Sequence, residues 1–132
     1  MRAALWDRRS WAAADRMRFE RVADGPVNFT VTLAAPETTD LLCRPLATVG
    51  KYSCYNGSRS VINYRRWRDG GSAYGTDLAA YRIYVINHEV GHALGHDHQF
   101  GCLPDGRAPV MMQQTKGTGS CSPNPWPSPS AG

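Results

Sequence analysis

The sequence predicts an α+β fold in which short strands pack against one buried helix, and two features carry this prediction. Residues 28–33 and 52–64 are rich in β-branched and aromatic side chains, which favour strands. Residues 77–94 carry apolar side chains around most of a helical circumference, a pattern typical of a helix inside a core. A chain of 132 residues can bury one such core and is too short for two. We therefore predict a single domain.

The N-terminal part is predicted to form helical pieces and then two strands. Residues 2–17 combine alanine and arginine with scattered large apolar side chains, which favours helix over strand. Residues 19–22 and 28–33 are partly alternating and flank a turn signal at residues 23–26. We expect these two segments to be strands joined by a tight connection.

A helical turn and a hairpin are predicted next along the chain. The stretch TTDLLC can form one helical turn capped by Thr38 or Thr39, because a hydroxyl oxygen can accept a hydrogen bond from a free backbone amide. Asn56-Gly57 lies between two strand-like runs within residues 52–64. This dipeptide is the strongest short-range hairpin signal, so we predict a hairpin there.

The central helix is predicted to follow a glycine-rich loop. Thr76 or Asp77 can cap its first turn, and its pattern continues to Leu94. Later glycines and prolines interrupt every regular pattern, and SPNPWPSPSAG cannot form a helix or strand. We therefore predict a domain over residues 1–121 and a Pro/Ser-rich tail or linker over residues 122–132.

The composition excludes some classes of function. The net charge of +4 comes mostly from arginine, concentrated within residues 2–21 and 65–68. No nucleic-acid-binding motif or regular aromatic spacing accompanies these arginines, so we favour a solvated basic face over a nucleic-acid surface. No run of about 18 apolar residues is present, so we predict no membrane span in this chain.

Four cysteines indicate a disulfide framework. An even number of cysteines without C-x-x-C spacing is typical of a small protein in an oxidising compartment. Of the three possible pairings we favour Cys43 with Cys54 and Cys102 with Cys121, because each closes a short local loop. Buried free thiols in a cytosolic protein are the alternative.

The stretch HEVGHALGHDH, residues 88–98, holds all four histidines of the chain. His88 and His92 are four residues apart, so on a helix their imidazoles share one face and can bind one metal ion. Glu89 lies beside that face, where its carboxylate can reach a metal-bound water without being a ligand. This arrangement is the mechanical basis of the H-E-x-x-H motif of zinc proteases.

A zinc protease needs a third protein ligand, and the chain restricts the choice. No glutamate follows the motif, which excludes the group that uses a downstream glutamate. On a continuing helix His96 would lie about 12 Å from His88, too far for zinc–nitrogen bonds of about 2.0–2.1 Å. Gly95 can instead take a left-handed conformation, end the helix and direct His98 toward the ion. His96 and Asp97 then lie on the turn and are expected to be solvent-exposed or to contact a ligand, with Asp97 in place of His98 as the alternative ligand.

The eleven residues resemble a known family signature. HEVGHALGHDH matches H-E-x-x-H-x-x-G-x-x-H, the long zinc signature of the metzincin metalloproteases, in every specified position. That family has a methionine-containing tight turn below the zinc site. APVMMQQT, residues 108–115, is similar to this turn, which implies that Met111, or alternatively Met112, is the turn methionine.

A narrower resemblance extends from about Trp11 to Trp126. The segments FERVADGPVNFTVTLA, LLCRPL, SCYNGSRSVINYRRW and APVMMQQTKG look like an actinobacterial family of metzincin-like proteins catalogued as a domain of unknown function. It implies a zincin-like, metzincin-type α+β fold, with a small twisted mixed sheet on a central active-site helix. A short, loop-rich C-terminal subdomain with the methionine turn would follow.

The resemblance also implies a function. It implies a zinc metallopeptidase, by expectation an endopeptidase and a monomer, with one Zn²⁺ per chain bound by His88, His92 and His98. Glu89 would activate a zinc-bound water to hydrolyse a peptide or protein substrate. We expect a secreted or cell-envelope protein whose signal or anchor segment lies outside this sequence. The alternative is a catalytically silent zinc-binding module of the cell envelope.

One departure from the family pattern concerns the oxyanion. Some metzincins have a tyrosine two residues after the turn methionine, where this chain has Gln113 if Met111 is that methionine. The role is therefore either unfilled or taken by another residue, and Gln113, Gln114 or a nearby tyrosine are the candidates for a second donor to the oxyanion.

Overall fold

A three-stranded mixed sheet lies against one long, buried helix in the computed structural model, which describes residues 2–129. The helices are α1 (Arg2–Trp6), α2 (Trp11–Ala14), α3 (Pro36–Leu42), α4 (Tyr64–Asp69) and α5 (Leu78–Ala93). The strands are β1 (Thr30–Ala34), β2 (Cys54–Tyr55) and β3 (Arg59–Asn63), and short 3-10 helices lie at Ser72–Tyr74 and Gln114–Lys116. The predicted α+β class and the helical pieces near the N-terminus are confirmed.

Helix α5 is the centre of the core, as its apolar circumference predicts. Asp77 caps its first turn, since the Asp77 carboxylate accepts a hydrogen bond from the Ala80 amide at 3.1 Å. Every residue over 84–91 is buried, and the aromatic side chains of Tyr74 and Tyr81 pack in the same cluster. The central part of the helix that carries the histidine motif is therefore buried within the domain.

The sheet has the strand order β1-β3-β2, with β1 parallel and β2 antiparallel to β3. The predicted hairpin at Asn56-Gly57 is confirmed. The Asn56 backbone amide donates to the Arg59 carbonyl at 3.0 Å, and the Asn56 side-chain oxygen accepts from the Arg59 backbone amide at 2.9 Å. Gly57 has φ +98°, which a glycine adopts without strain. Since β3 is central, β2 forms one outer edge of the sheet.

The strand predicted at residues 19–22 is absent. The Phe19 carbonyl accepts a hydrogen bond from the indole nitrogen of Trp6 at 3.0 Å, and the Phe19 ring packs edge-on against Phe29, with 6.3 Å between centroids. These contacts hold Phe19 to the domain without a strand partner, and residues 20–28 are exposed. The neighbour of β1 is β3 instead.

Helix α3 begins earlier than predicted. Pro36 occupies its first turn, where the missing amide proton costs no helical hydrogen bond. Neither Thr38 nor Thr39 caps the helix: the N-cap position is Ala35, and the buried Thr39 hydroxyl donates to the Ala34 carbonyl at 3.3 Å. The proline, rather than the threonines, was the usable start signal.

Helix α4 was not predicted. Its start is capped by Asn63, whose side-chain oxygen accepts from the Arg65 amide at 2.9 Å. Asn63 also ends β3, so strand and helix meet without a loop. Asparagine is a favoured N-cap residue, so Asn63 before YRRWRD indicates a helix start. The strand-like residues that precede it made the boundary between strand and helix hard to predict.

Both predicted disulfides are present. Cys43 is bonded to Cys54, which joins α3 to β2, and Cys102 is bonded to Cys121. Two disulfides in so small a domain are typical of proteins outside the cytoplasm. Across residues 2–129, no helix combines the length and the apolar character that crossing a membrane requires.

The segment predicted to be a tail or linker packs on the domain as far as Trp126. Asn124 and Trp126 are buried. The Asn124 side-chain amide donates to the carbonyls of Ala108 at 3.0 Å and Trp126 at 2.9 Å. The buried Asn124 side chain thus satisfies one carbonyl of this segment, that of Trp126, and one of the preceding loop, that of Ala108. Residues 130–132 of the predicted tail or linker lie outside the described residues.

Candidate metal centre

Three of the four histidines converge at the end of α5. One ring nitrogen from each of His88, His92 and His98 lies within 4.8 Å of the others, and these side chains could hold a metal ion. The Nε2 atoms of His92 and His98 are 3.1 Å apart. Two nitrogen ligands of a tetrahedral zinc ion stand about 3.3 Å apart, given zinc–nitrogen bonds of about 2.0–2.1 Å, so this spacing suits such an ion.

Backbone carbonyls orient two of these rings. His88 Nδ1 lies 2.9 Å from the Val110 carbonyl, and His92 Nδ1 lies 2.9 Å from the His96 carbonyl. A carbonyl oxygen can only accept, so in each ring Nδ1 carries the proton and donates it. The Nε2 lone pair of each ring is then free to bind a metal ion, which is the tautomer that such a site needs.

Gly95 ends the helix in the way that its position in the motif predicts. It has φ +93°, and it follows the last helical residue, Ala93, by two positions. The His96 amide donates to the Gly91 carbonyl at 2.9 Å and the Gly95 amide to the His92 carbonyl at 3.0 Å, the paired bonds of a Schellman motif. The turn reverses the chain and brings His98 back to the face of His88 and His92.

Replacing Gly95 with alanine tests how much this turn matters. A residue with a Cβ in the left-handed region costs about 1–2 kcal/mol, so either the domain loses that stability or the turn relaxes and His98 moves. We expect the dissociation constant for zinc to rise about tenfold, the equivalent of about 1.4 kcal/mol, as measured by competition with a chromophoric chelator. Gly106→Ala is the matched control, because Gly106 has φ +86° and open space around it but lies outside the site. Equal zinc affinities for the two variants would show that the turn does not position His98.

A tight turn with a methionine lies below the histidines. The Met112 amide donates to the Pro109 carbonyl at 2.9 Å, which closes a β-turn containing Val110 and Met111. Met111 is buried and Met112 is partly exposed. Met111 packs against Gly91 of α5, where a Cβ would meet its sulfur, so of the two predicted methionines Met111 is the one beneath the site.

Glu89 lies in the same cavity with a buried side chain. Burial raises the pKa of Glu89 to about 8, because no cation among the described residues compensates for the loss of water around the carboxylate. Burial also lowers the pKa of His88 to about 3 and lowers those of His92 and His98. The three imidazoles are therefore neutral near pH 7, as metal ligands must be.

The cavity around the histidines has a volume of about 550 Å³. Glu89, the outer strand β2 and Gln113 contribute to its wall. Gln114 does not: it is fully buried, and its side-chain amide donates to the carbonyls of Pro109 at 3.1 Å and Asn124 at 2.7 Å. Of the two glutamines predicted as oxyanion donors, Gln113 is the one within reach of the cavity.

His96 contacts a part of the chain that the sequence did not connect with the site. Its Nε2 lies 2.6 Å from the Asp15 carboxylate, and its ring stacks on Trp11 with 4.1 Å between centroids. Asp97, the alternative ligand, is exposed and is not a member of the histidine cluster. A pairing between residues 81 positions apart leaves no periodic or motif signal, so sequence reasoning missed Trp11 and Asp15.

Comparison with known proteins finds a family that covers nearly the whole chain. Residues 1–129 match a protein family described as "Protein of unknown function (DUF3152)". No curated protein and no solved structure matches the chain.

Proposed function

The chain belongs to the DUF3152 family of proteins of unknown function, and from the geometry of its site we propose that it is a zinc-dependent metallopeptidase of the metzincin type. The observation that carries the proposal is a buried carboxylate, Glu89, beside three histidines that could hold one metal ion. A site that only stabilises the fold has no use for such a carboxylate. A site that hydrolyses peptides needs one.

The donor set fits zinc. Three neutral imidazoles leave one position of a tetrahedral zinc ion open, which is the arrangement of catalytic rather than structural zinc sites. The carbonyls of Val110 and His96 already hold two of the rings in the required tautomer. The bound ion would supply positive charge that polarises a carbonyl group and lowers the pKa of a water molecule.

Glu89 has the role of general base and then general acid. Its carboxylate takes a proton from the attacking water and delivers it to the amide nitrogen of the leaving group. The pKa of about 8 that burial produces in Glu89 belongs to a site without a cation. A cation held by the histidines favours the ionised carboxylate, so Glu89 would be ready to accept a proton at neutral pH.

The outer edge of the sheet supports the choice of an extended peptide as substrate. Strand β2, Cys54–Tyr55, has β3 on one side only and lines the cavity of the histidines. An extended peptide could pair with its free backbone groups and so lie across Glu89. The disulfide of Cys54 with Cys43 ties this strand to α3 and keeps the edge in place. Gln113 lines the same cavity and is a candidate donor to the oxyanion, as is a tyrosine of the cavity wall.

The two disulfides also support a location outside the cytoplasm, in the secreted or cell-envelope fraction. In that compartment a small peptidase would meet protein substrates from the envelope or the medium. We propose one active domain per chain, which works as a monomer.

Metal analysis and a peptide screen test the proposal together. Protein purified without chelators is expected to contain about one zinc per chain and to cleave members of a degenerate peptide library, with cleavage lost on chelation and restored by zinc. Absence of zinc even after its addition would refute the metal site. Stoichiometric zinc without any cleavage would instead support the alternative, a silent zinc-binding module of the cell envelope.

A further inference from the structure

We propose that Trp11 and Asp15, in the N-terminal segment, are positioning residues of the metal site that act through His96. None of the three is a ligand in the histidine cluster. The inference rests on the metal-binding part of the proposed function and is independent of whether the protein hydrolyses peptides.

The N-terminal segment holds the His96 side chain. Its Nε2–H donates to the Asp15 carboxylate at 2.6 Å, a short, charge-assisted bond. Its ring lies nearly parallel to the Trp11 indole, with 17° between the planes. One edge and one face of the imidazole are therefore fixed by the N-terminal segment, and the side chain remains only 35% exposed.

The backbone of His96 contacts both the His92 ring and the turn after α5. Its carbonyl accepts the hydrogen bond from His92 Nδ1, and its amide closes the turn by donating to the Gly91 carbonyl. His98, the third member of the cluster, follows two residues later. Fixing the His96 side chain thus fixes the peptide that orients the His92 ring and the short connection that carries His98.

The N-terminal segment is also anchored to α5, the helix that carries His88 and His92. The Trp11 indole nitrogen donates to the Asn87 carbonyl at 2.8 Å, and the Ser10 hydroxyl donates to the Asn87 side-chain oxygen at 2.8 Å. The Trp11 ring also packs on Gly91, where a Cβ would come within 2.8 Å of it. Trp11 therefore ties the turn after α5 to α5 itself, which sets the position of His98 relative to His88 and His92.

A partly exposed contact between a carboxylate and an imidazole by itself contributes little to stability, so an Asp15–His96 contact that served the fold alone would leave the metal almost unaffected. Partners that orient a metal ligand behave differently, since their loss typically costs 10–100-fold in metal affinity. Measurements of zinc affinity and of the geometry of the bound metal therefore distinguish a contact that serves only the fold from one that orients a metal ligand.

The test uses zinc and cobalt(II) with the full chain and five variants: Asp15→Ala, Asp15→Asn, His96→Ala, the double variant of Asp15→Ala with His96→Ala, and Asp7→Ala. Asp7→Ala is the matched control, because the Asp7 carboxylate also has a side-chain partner in the N-terminal segment, Arg9, but does not reach the site. Zinc affinity is measured by competition with a chromophoric chelator. The visible spectrum of bound cobalt(II) reports ligand geometry, and thermal unfolding of the metal-free protein reports the fold.

Asp15→Ala and His96→Ala are each expected to weaken zinc binding about tenfold and to alter the cobalt spectrum. The double variant should be no weaker than the more affected single variant, because both act through one contact. Asp15→Asn keeps a side-chain acceptor for Nε2–H and should restore most of the affinity, while Asp7→Ala should bind zinc like the unchanged protein.

Unchanged zinc affinity and cobalt spectrum in Asp15→Ala would overturn the inference. So would losses in Asp15→Ala and Asp7→Ala of equal size, since that result would mean general destabilisation. If Asp15→Ala does not fold, Asp15→Asn and His96→Ala decide in the same way. Failure of the unchanged protein to bind zinc would refute the metal site itself, which is a distinct outcome.

Discussion

Replacing Glu89 with glutamine is expected to abolish peptide hydrolysis while the metal stays bound. Glutamine has nearly the shape of glutamate but cannot take a proton from water near neutral pH, so the general-base contribution of about 10²–10⁴-fold is lost. Burial already disfavours the charged carboxylate, so the neutral amide removes an energetic cost and the fold should persist. The measurements are the rate of cleavage of a library-derived peptide and the zinc content of the same sample.

The matched control is Glu20→Gln, which makes the same chemical change at an exposed residue outside the site. It should cleave at the rate of the unchanged protein. Peptidase activity that survives in Glu89→Gln would place the base elsewhere in the cavity. Loss of zinc from Glu89→Gln, with Glu20→Gln unaffected, would mean that Glu89 acts as a ligand.

Replacing His98 with alanine is expected to weaken zinc binding by more than about 100-fold, beyond what the loss of a residue that only orients a ligand produces. The reason is that His98 supplies one of three ligand atoms, and two histidines on a helix leave the ion half exposed to water. The zinc affinity of His96→Ala should fall only about tenfold, because His96 orients a ligand without being one. Competition with chelators of graded affinity measures both effects on one scale.

Asp97→Ala completes this series. Asp97 is exposed and lies between the two histidines in sequence, so its replacement tests the alternative ligand directly. We expect no change in zinc affinity. A larger loss in His96→Ala or Asp97→Ala than in His98→Ala would reverse the assignment of the third ligand.

Local features of the sequence were sufficient wherever the physics is local. A spacing of four residues places His88 and His92 on one helical face whatever surrounds them. Asn56-Gly57 specifies its own hairpin, because the turn needs only a positive φ angle at Gly57 and the amide side chain of Asn56. The same holds for Gly95, whose lack of a Cβ permits the turn that brings His98 back.

Sequence patterns were insufficient where the structure of a segment depends on hydrogen-bond partners elsewhere in the chain. Residues 19–22 have the composition of a strand, but a strand needs a neighbour, and the Trp6 side chain takes the Phe19 carbonyl instead. Residues 124–126 have the composition of a tail, yet the buried Asn124 side chain donates to the Ala108 carbonyl. The two pairs are 13 and 16 residues apart in sequence.

The motif HEVGHALGHDH thus predicted the three histidines that converge, since helical periodicity and one glycine turn are properties of eleven consecutive positions. The folded domain determined which methionine packs against α5, which strand lines the cavity of Glu89, and that Trp11 and Asp15 hold His96. These are contacts between side chains brought together by packing of the whole core. Their energies depend on three-dimensional complementarity, which no periodic pattern in the chain encodes.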